Sequence, residues 1–308
     1  MKTAYFWLTP QGKQLAEQLQ AHFGGTVEPK ADFAEAVRRA FADCDAPVFV
    51  MATGIVVRTI APLVQSKASD PAVLVLDQRG KHVISLLSGH LGGANAMAEQ
   101  AAAYLGGEAV ITTATDVEHV PAFDLFAKEN HLTIENLEEL KYISGALVAG
   151  EPVSLCTAFP VEKNAFPETV QIQPFSETSR HACAVAIADT TESVAAPHVL
   201  YLRPKSLVLG VGCKKQIPPA HLEQCFRTFL QEHHLSLSAV EKLATIGLKR
   251  EEPAILALCE KCRWRSWQMQ IFRLVRIPLL HRHLCSRSQG CLLFQRLLPI
   301  WHRAAGKC

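Results

Sequence analysis

Asp77-Gln78-Arg79-Gly80-Lys81-His82-Val83-Ile84-Ser85-Leu86-Leu87-Ser88-Gly89-His90-Leu91-Gly92-Gly93-Ala94-Asn95 is the stretch whose reading decides the fold. The apolar run 83–87 predicts a strand, Ser88 to Gly93 a glycine-rich loop, and Ala94 the start of a helix that runs to about Leu105 and stops at Gly106-Gly107. Upstream, residues 72–76 form another buried strand, and Asp77-Gln78-Arg79-Gly80 a turn. The same alternation continues outward. Residues 4–8 and 48–51 read as strands. A helix is expected over 11–23, and a second with Asp32 as cap and Phe33, Val37 and Phe41 at helical spacing. Residues 55–65 form a third helix with Thr53 or Gly54 near its start, and 110–112 a last strand. Strand and helix in turn predict an α/β domain over 1–125, with an open, largely parallel sheet and flanking helices.

Residues 126–203 are less regular, with Pro152, Pro160, Pro167, Pro174 and Pro197 and strand candidates at 153–156 and 183–188; they read as a small, linker-like α+β region. A second α/β unit begins at Leu207-Val208-Leu209. It enters a helix near Pro218-Pro219 that runs to about His233, places a strand at 244–246 and a helix at 253–261, and then breaks off, incomplete.

The tail 261–308 has no Asp or Glu, ten Lys and Arg, and three of the four Trp, whereas all 29 acids lie before it. The net charge of +2 therefore joins an acidic body to a basic tail and describes no single surface. Cys259, Cys262, His281, His283, Cys285 and Cys291 invite a zinc reading, but the spacing repeats neither a ribbon nor a finger, and no metal site is expected. Leu, Phe and Ile are interleaved there without period, which argues against a nucleic-acid or membrane arm. Translation out of frame after an insertion or deletion near codon 260 explains the composition better. The single, scattered cysteines of 1–258, the lack of a signal peptide and the lack of a long apolar run predict a cytoplasmic protein.

Candidate chemistry lies where strands end. Ser88, Gly89, Gly92 and Gly93 bring backbone amides and a helix start, with its positive partial charge, to one place, beside His90 and Asn95. His90 is either an acid/base group or a packed, locally bonded histidine. Thr53-Gly54-Ile55-Val56-Val57-Arg58 is a second such loop, where Arg58 either meets a carboxylate or is a solvated charge; Thr112-Thr113-Ala114-Thr115-Asp116 is a third. In an open sheet of parallel strands all three would line one crevice at the C-terminal edge. An imidazole on the opposite side from the other turns, or sealed in the interior, would defeat an enzymatic reading built on that crevice. Gly210-Val211-Gly212 lacks the third glycine of a dinucleotide fingerprint, and no P-loop, Gly-x-Ser-x-Gly or His-Glu-x-x-His is present.

At residues 52–58, 84–95, 111–116, 207–213 and 244–253 the sequence resembles the cobalamin-biosynthesis CbiG family of cobalt-precorrin-5A hydrolases. It differs from the family at Gly247 and at Lys214-Lys215-Gln216, and the resemblance ends after Lys261. It implies an enzyme that opens a δ-lactone on a cobalt-bearing corrinoid and releases acetaldehyde. The substrate carries its own cobalt, so no cofactor is implied, and its many carboxylates suit basic loops. On that reading His90 activates water, Asp116 or Asp77 orients it, and the Gly92 and Gly93 amides hold the oxyanion. Thr53, Gly54, Arg58, Ser88, Gly89, Asn95, Thr113, Gly210, Gly212 and Lys249, with Lys214, bind substrate. A homodimer or contact with neighbouring pathway enzymes is left open. A non-catalytic tetrapyrrole-binding protein and a defective, truncated copy are the competing readings.

Overall fold

A computed structural model of the chain describes residues 1–66, 69–162, 165–261 and the backbone of 291–296. Its contacts divide it into two units, Met1–Leu125 and Phe126–Cys308.

The first unit contains β1 (Thr3–Trp7), α1 (Pro10–Phe23), β2 (Thr26–Val27), α2 (Phe33–Asp43), β3 (Ala46–Val50), α3 (Thr53–Ile60), β4 (Val73–Leu76), β5 (His82–Leu87), α4 (Ala94–Leu105), β6 (Glu108–Val110), α5 (Ala114–Val117) and the start of α6 (Phe123–Glu129). The sheet order is β2-β1-β3-β4-β5-β6. Strand side chains alternate between two faces, and both faces are apolar. Tyr5, Val48, Val50, Leu74 and Leu76 pack with Leu15 and Leu19 of α1 and Ala98 and Ala101 of α4. Ala4, Phe6, Phe49, Val73 and Val75 pack with Val37 of α2 and with Val56 and Ile60 of α3. Phe6 and Phe49 stack with ring centres 5.0 Å apart; burying each such ring is worth about 1.5–3 kcal/mol.

Local signals fix several boundaries. Thr9 Oγ1 accepts from the Gly12 amide at 3.0 Å and caps α1, and Gly106 in the left-handed conformation ends α4. Asp32 stands at the N-cap of α2, but with φ 54° and no side-chain capping bond; its carbonyl, not its carboxylate, meets the helix.

One expectation is overturned. β1 to β4 are mutually parallel, but β5 runs antiparallel to β4, with Val73 opposite Leu87 and Leu76 opposite Val83, and β6 is parallel to β5. The C-terminal ends of β5 and β6 therefore open on the edge where β1 to β4 begin. The three strand-end loops do not share a rim. The reason is covalent: five residues, 77–81, join β4 to β5, whereas a parallel crossover needs about a dozen or more.

The second unit contains β7 (Thr133–Ile134), α7 (Leu140–Val148), β8 (Val153–Thr157), β9 (Val170–Pro174), β10 (Cys183–Ile187), β11 (His198–Arg203), β12 (Leu207–Gly212), α8 (Pro219–Glu232), β13 (Val240–Ala244), α9 (Pro253–Lys261) and β14 (Cys291–Arg296). What the sequence suggested as a linker-like stretch is organised around a five-stranded sheet, β7-β11-β10-β8-β9, parallel except for β7. β12 lies between parallel β13 and antiparallel β14. Leu209, Phe226, Phe229, Val240, Ile255 and Leu258 form the core beside them. A buried polar joint links the two sheets. Arg203 Nε donates to Glu135 Oε2 at 2.8 Å, and its Nη1 to the carbonyls of Ala188 and Thr190 at 3.2 and 2.6 Å; Ser206 Oγ donates to Asp189 Oδ2 at 2.9 Å.

Apart from Lys261 and the β14 backbone, which begins at Cys291, the tail read as out of frame lies outside the described residues, as do the zinc candidates Cys262, His281, His283 and Cys285; Cys259 is buried in α9. Among the described residues no helix is long and apolar enough to cross a membrane, and no group of three or more His, Cys, Asp or Glu could hold a metal ion.

Candidate active site

The loop after β5 is held by its own glycines. Ser88 adopts φ 57°, a conformation rare for a residue with a side chain, and its Oγ donates to the Asp70 carbonyl at 2.9 Å. The Asp70 carboxylate in turn accepts the Gln65 and Ser66 amides at 3.0–3.1 Å. A Cβ on Gly92 would stand 2.5 Å from Ser88 Cβ and 2.7 Å from its carbonyl oxygen, so the chain folds back here only as glycine. The Ala94 and Asn95 amides then donate to the Ser88 and Gly89 carbonyls at 3.2 and 3.1 Å and start α4.

Asn95, in the first turn of α4, is buried, and its amide makes three bonds. Oδ1 accepts from Ser85 Oγ at 2.6 Å, and Nδ2 donates to Thr113 Oγ1 at 3.1 Å and to Asp116 Oδ2 at 2.9 Å. The same Asp116 oxygen lies 2.7 Å from His90 Nε2, and Thr115 Oγ1 is 3.4 Å from that nitrogen. On the other side of the ring, His90 Nδ1 lies 3.3 Å from Asp124 Oδ1. His90 and Asp124 side chains are 6% and 2% exposed; that of Asp116 is 37% exposed, and it is the member of the row that solvent reaches.

A carboxylate at each ring nitrogen favours the imidazolium, the form in which both N–H groups can donate. The hydrogen bond that Asp124 accepts raises the His90 pKa most, burial opposes it, and the bond that Asp116 accepts raises it again. Two carboxylates, one imidazolium and the positive end of α4 make a nearly balanced cluster.

The structure thus brings together Ser88, Gly89, His90, Gly92, Gly93, Asn95, Thr113 and Asp116. It separates others from them. Thr53, Gly54 and Arg58 open α3 on the opposite edge of the sheet, and Arg58 Nη1 donates to the Gly54 carbonyl at 3.0 Å, folding onto its own helix. Asp77 is on that edge too; its carboxylate accepts the Arg79 and His82 amides at 2.8 and 2.7 Å and serves the turn, not His90. The single-crevice site is therefore withdrawn. His90 itself is buried, and each of its ring nitrogens faces a carboxylate.

In the second unit Gly210 and Gly212 lie on β12. Lys249, in the short turn after β13, is paired with Glu252 at 3.0 Å, while Glu252 also accepts the Gln216 amide at 2.8 Å. Lys214 is exposed.

Sequence reading gave no role to Ser85 or Asp124, and it placed Thr115 in a candidate loop without assigning it one. Ser85 carried a signal, a hydroxyl inside the apolar run 83–87. Asp124 carried none, since an Asp after Pro121 and Phe123 reads as an ordinary helix opening.

Three family models match the chain: "Cobalamin synthesis G N-terminal" over residues 35–116, "Cobalamin biosynthesis central region" over 121–204, and "Cobalamin synthesis G C-terminus" over 207–286. The last runs past Lys261 into residues outside those described. The cobalt-precorrin-5A hydrolase of Salmonella typhimurium is 35% identical over 280 residues, covering 84% of this chain and 79% of its own. The cobalt-precorrin-5A hydrolase of Priestia megaterium is 35% identical over 231 residues, covering 70% of this chain and 61% of its own. A solved cobalamin biosynthesis protein G homologue from Sulfolobus solfataricus is similar at 23% identity and TM-score 0.42, over 85% of this chain and 77% of that one.

Proposed function

This chain belongs to the cobalamin synthesis G family, and from that premise we propose that it is a hydrolase acting on cobalt-precorrin-5A, with its chemistry at the Asp116 end of the His90 row. The observation that carries the choice of site is the 2.7 Å contact between buried His90 and partly open Asp116, beside the start of α4. Water held by Asp116 attacks the δ-lactone carbonyl. Asp116 takes the proton, and the oxyanion forms towards the Gly92–Gly93 turn, where amide donors and the helix end favour negative charge. Collapse breaks the acyl C–O bond and frees an alkoxide on the methyl-bearing carbon. As that alkoxide becomes the carbonyl of acetaldehyde, the adjoining C–C bond breaks and its electron pair stays with the macrocycle.

Cobalt arrives as part of the substrate. Positioned general-base catalysis is worth roughly 10²–10⁴-fold. Incubating the protein with cobalt-precorrin-5A and trapping the aldehyde tests the reading. Acetaldehyde from wild type, with a loss of that order in Asp116→Asn at unchanged circular dichroism, supports it; binding without aldehyde points to a tetrapyrrole carrier and overturns it.

A further inference from the structure

Asp124 is the buried end of the row, on the far side of His90 from the solvent-reachable Asp116. It opens α6, has a side chain 2% exposed, and takes the Leu125 amide on Oδ1 at 3.0 Å while that oxygen lies 3.3 Å from His90 Nδ1. A buried carboxylate is costly unless a cation or strong donors answer it. Here the answering cation is an imidazole whose other nitrogen points at the single solvent-reachable acid. The order is buried acid, buried imidazole, open acid, each within hydrogen-bonding reach of the next. Three helices bring polar groups to the ring: Asp116 and Thr115 from α5, Asp124 from α6, and Asn95, which shares Asp116 Oδ2, from α4.

We propose that Asp124 is a positioning residue for the hydrolysis: it holds His90 doubly protonated so that Nε2–H fixes Asp116 Oδ2 and leaves the other oxygen of that carboxylate turned outward to take the proton from water. The proposal rests on the functional reading above but is tested separately from it. The physics is directional. With a charged Asp124, both ring nitrogens carry protons and the Asp116 bond is donor to acceptor. With a neutral amide at 124, the ring loses one of its two counter-charges and gives up its second proton at lower pH, and the proton that remains stays on Nε2, facing the charged Asp116 carboxylate at 2.7 Å. Nδ1 then presents a lone pair to the amide: its oxygen would repel the ring, and its NH2 group in that place would cost the Leu125 amide its acceptor. In either case the ring shifts, and Asp116, which the ring positions, is no longer held as an aligned base.

The test is Asp124→Asn, nearly isosteric, read in two ways. Ring ¹⁵N resonances of His90, assigned with His90→Gln, follow its titration without substrate. Expected is an imidazolium that persists above the ordinary histidine range in wild type and a midpoint moved to lower pH in Asp124→Asn. Acetaldehyde release should fall on the order of 10²-fold in kcat, as for a displaced catalytic group, with KM little changed. Its decline on the alkaline side should begin at lower pH than in wild type. Asp124→Glu, which restores the charge, should return part of the His90 shift and part of the rate. A His90 midpoint that does not move in Asp124→Asn, or a moved midpoint with an unchanged pH limb for kcat, overturns the proposal. Absence of aldehyde from wild type overturns the functional reading instead, and the resonance titration still judges the coupling.

Discussion

Gly89 leaves room for the Asn95 side chain: a Cβ on Gly89 would stand 2.6 Å from Asn95 Oδ1, the atom that Ser85 Oγ holds at 2.6 Å. Gly89→Ala is therefore a lever on Asn95. The buried amide must turn, which breaks its bonds to Ser85, Thr113 and Asp116 together. Overpacking of this kind costs about 1–3 kcal/mol. A denaturant midpoint lowered accordingly, with acetaldehyde release reduced far more than stability, is expected; full activity would show that Asn95 does not set Asp116.

The His90 row makes stability depend on pH with a defined sign. Its folded pKa is raised, chiefly by Asp124, above the unfolded value near 6.5. Its contribution is thus complete below about 6.5 and is lost as pH rises through the folded value. Urea unfolding at pH 6 and pH 8 should show wild type losing more stability on the way up than His90→Gln does. Equal losses in the two proteins would remove the row from the linkage.

Arg58 separates the two arrangements of the sheet. On a single rim it would grip substrate. Where it lies, across the sheet from Asp116 and bonded to Gly54, Arg58→Ala should leave kcat/KM for acetaldehyde release within about threefold, since a loss of solvent-screened surface charge costs under 1 kcal/mol. A drop of a hundredfold would restore it to the site.

Arg203 governs the second unit. Its side chain is 4% exposed and holds Glu135 and two carbonyls, so Arg203→Ala removes the donor to both carbonyls and the charged partner of Glu135, which Ser236 and solvent still reach. Leaving buried acceptors unmet costs about 1–3 kcal/mol. Arg203→Lys keeps the charge but not the fork and should recover only part of that. Calorimetry on all three proteins checks the ranking.

The α/β character, the helix over α4 and the cluster Ser88–Asn95 with Thr113 and Asp116 were legible, because buried strands, glycine turns and hydroxyl-rich strand ends leave local marks. Strand direction was written more faintly. The five residues between β4 and β5 are too few for a crossover, and that length alone puts Thr53, Arg58 and Asp77 on the edge opposite His90. Asp124 stayed hidden for a different reason. Its contact with His90 spans 34 positions and depends on which way α6 faces, and a lone Asp at a helix start says nothing about that. The middle sheet was half visible: β8 and β10 are apolar runs, whereas β9 and β11 carry glutamine, histidine and arginine among their apolar residues.

The hairpin turn at 77–81 places the Thr53 and Asp77 loops at one end of the first unit and the proposed site at the other. A saturation library over its exposed positions should therefore come out two-toned. Substitutions around Thr53, Arg58 and the Asp77 turn should be tolerated wherever the chain still folds, while those at the far end are purged even when folding is untouched. Engineers wanting a handle, a fluorophore or a fusion partner have their attachment point at the tip of that hairpin.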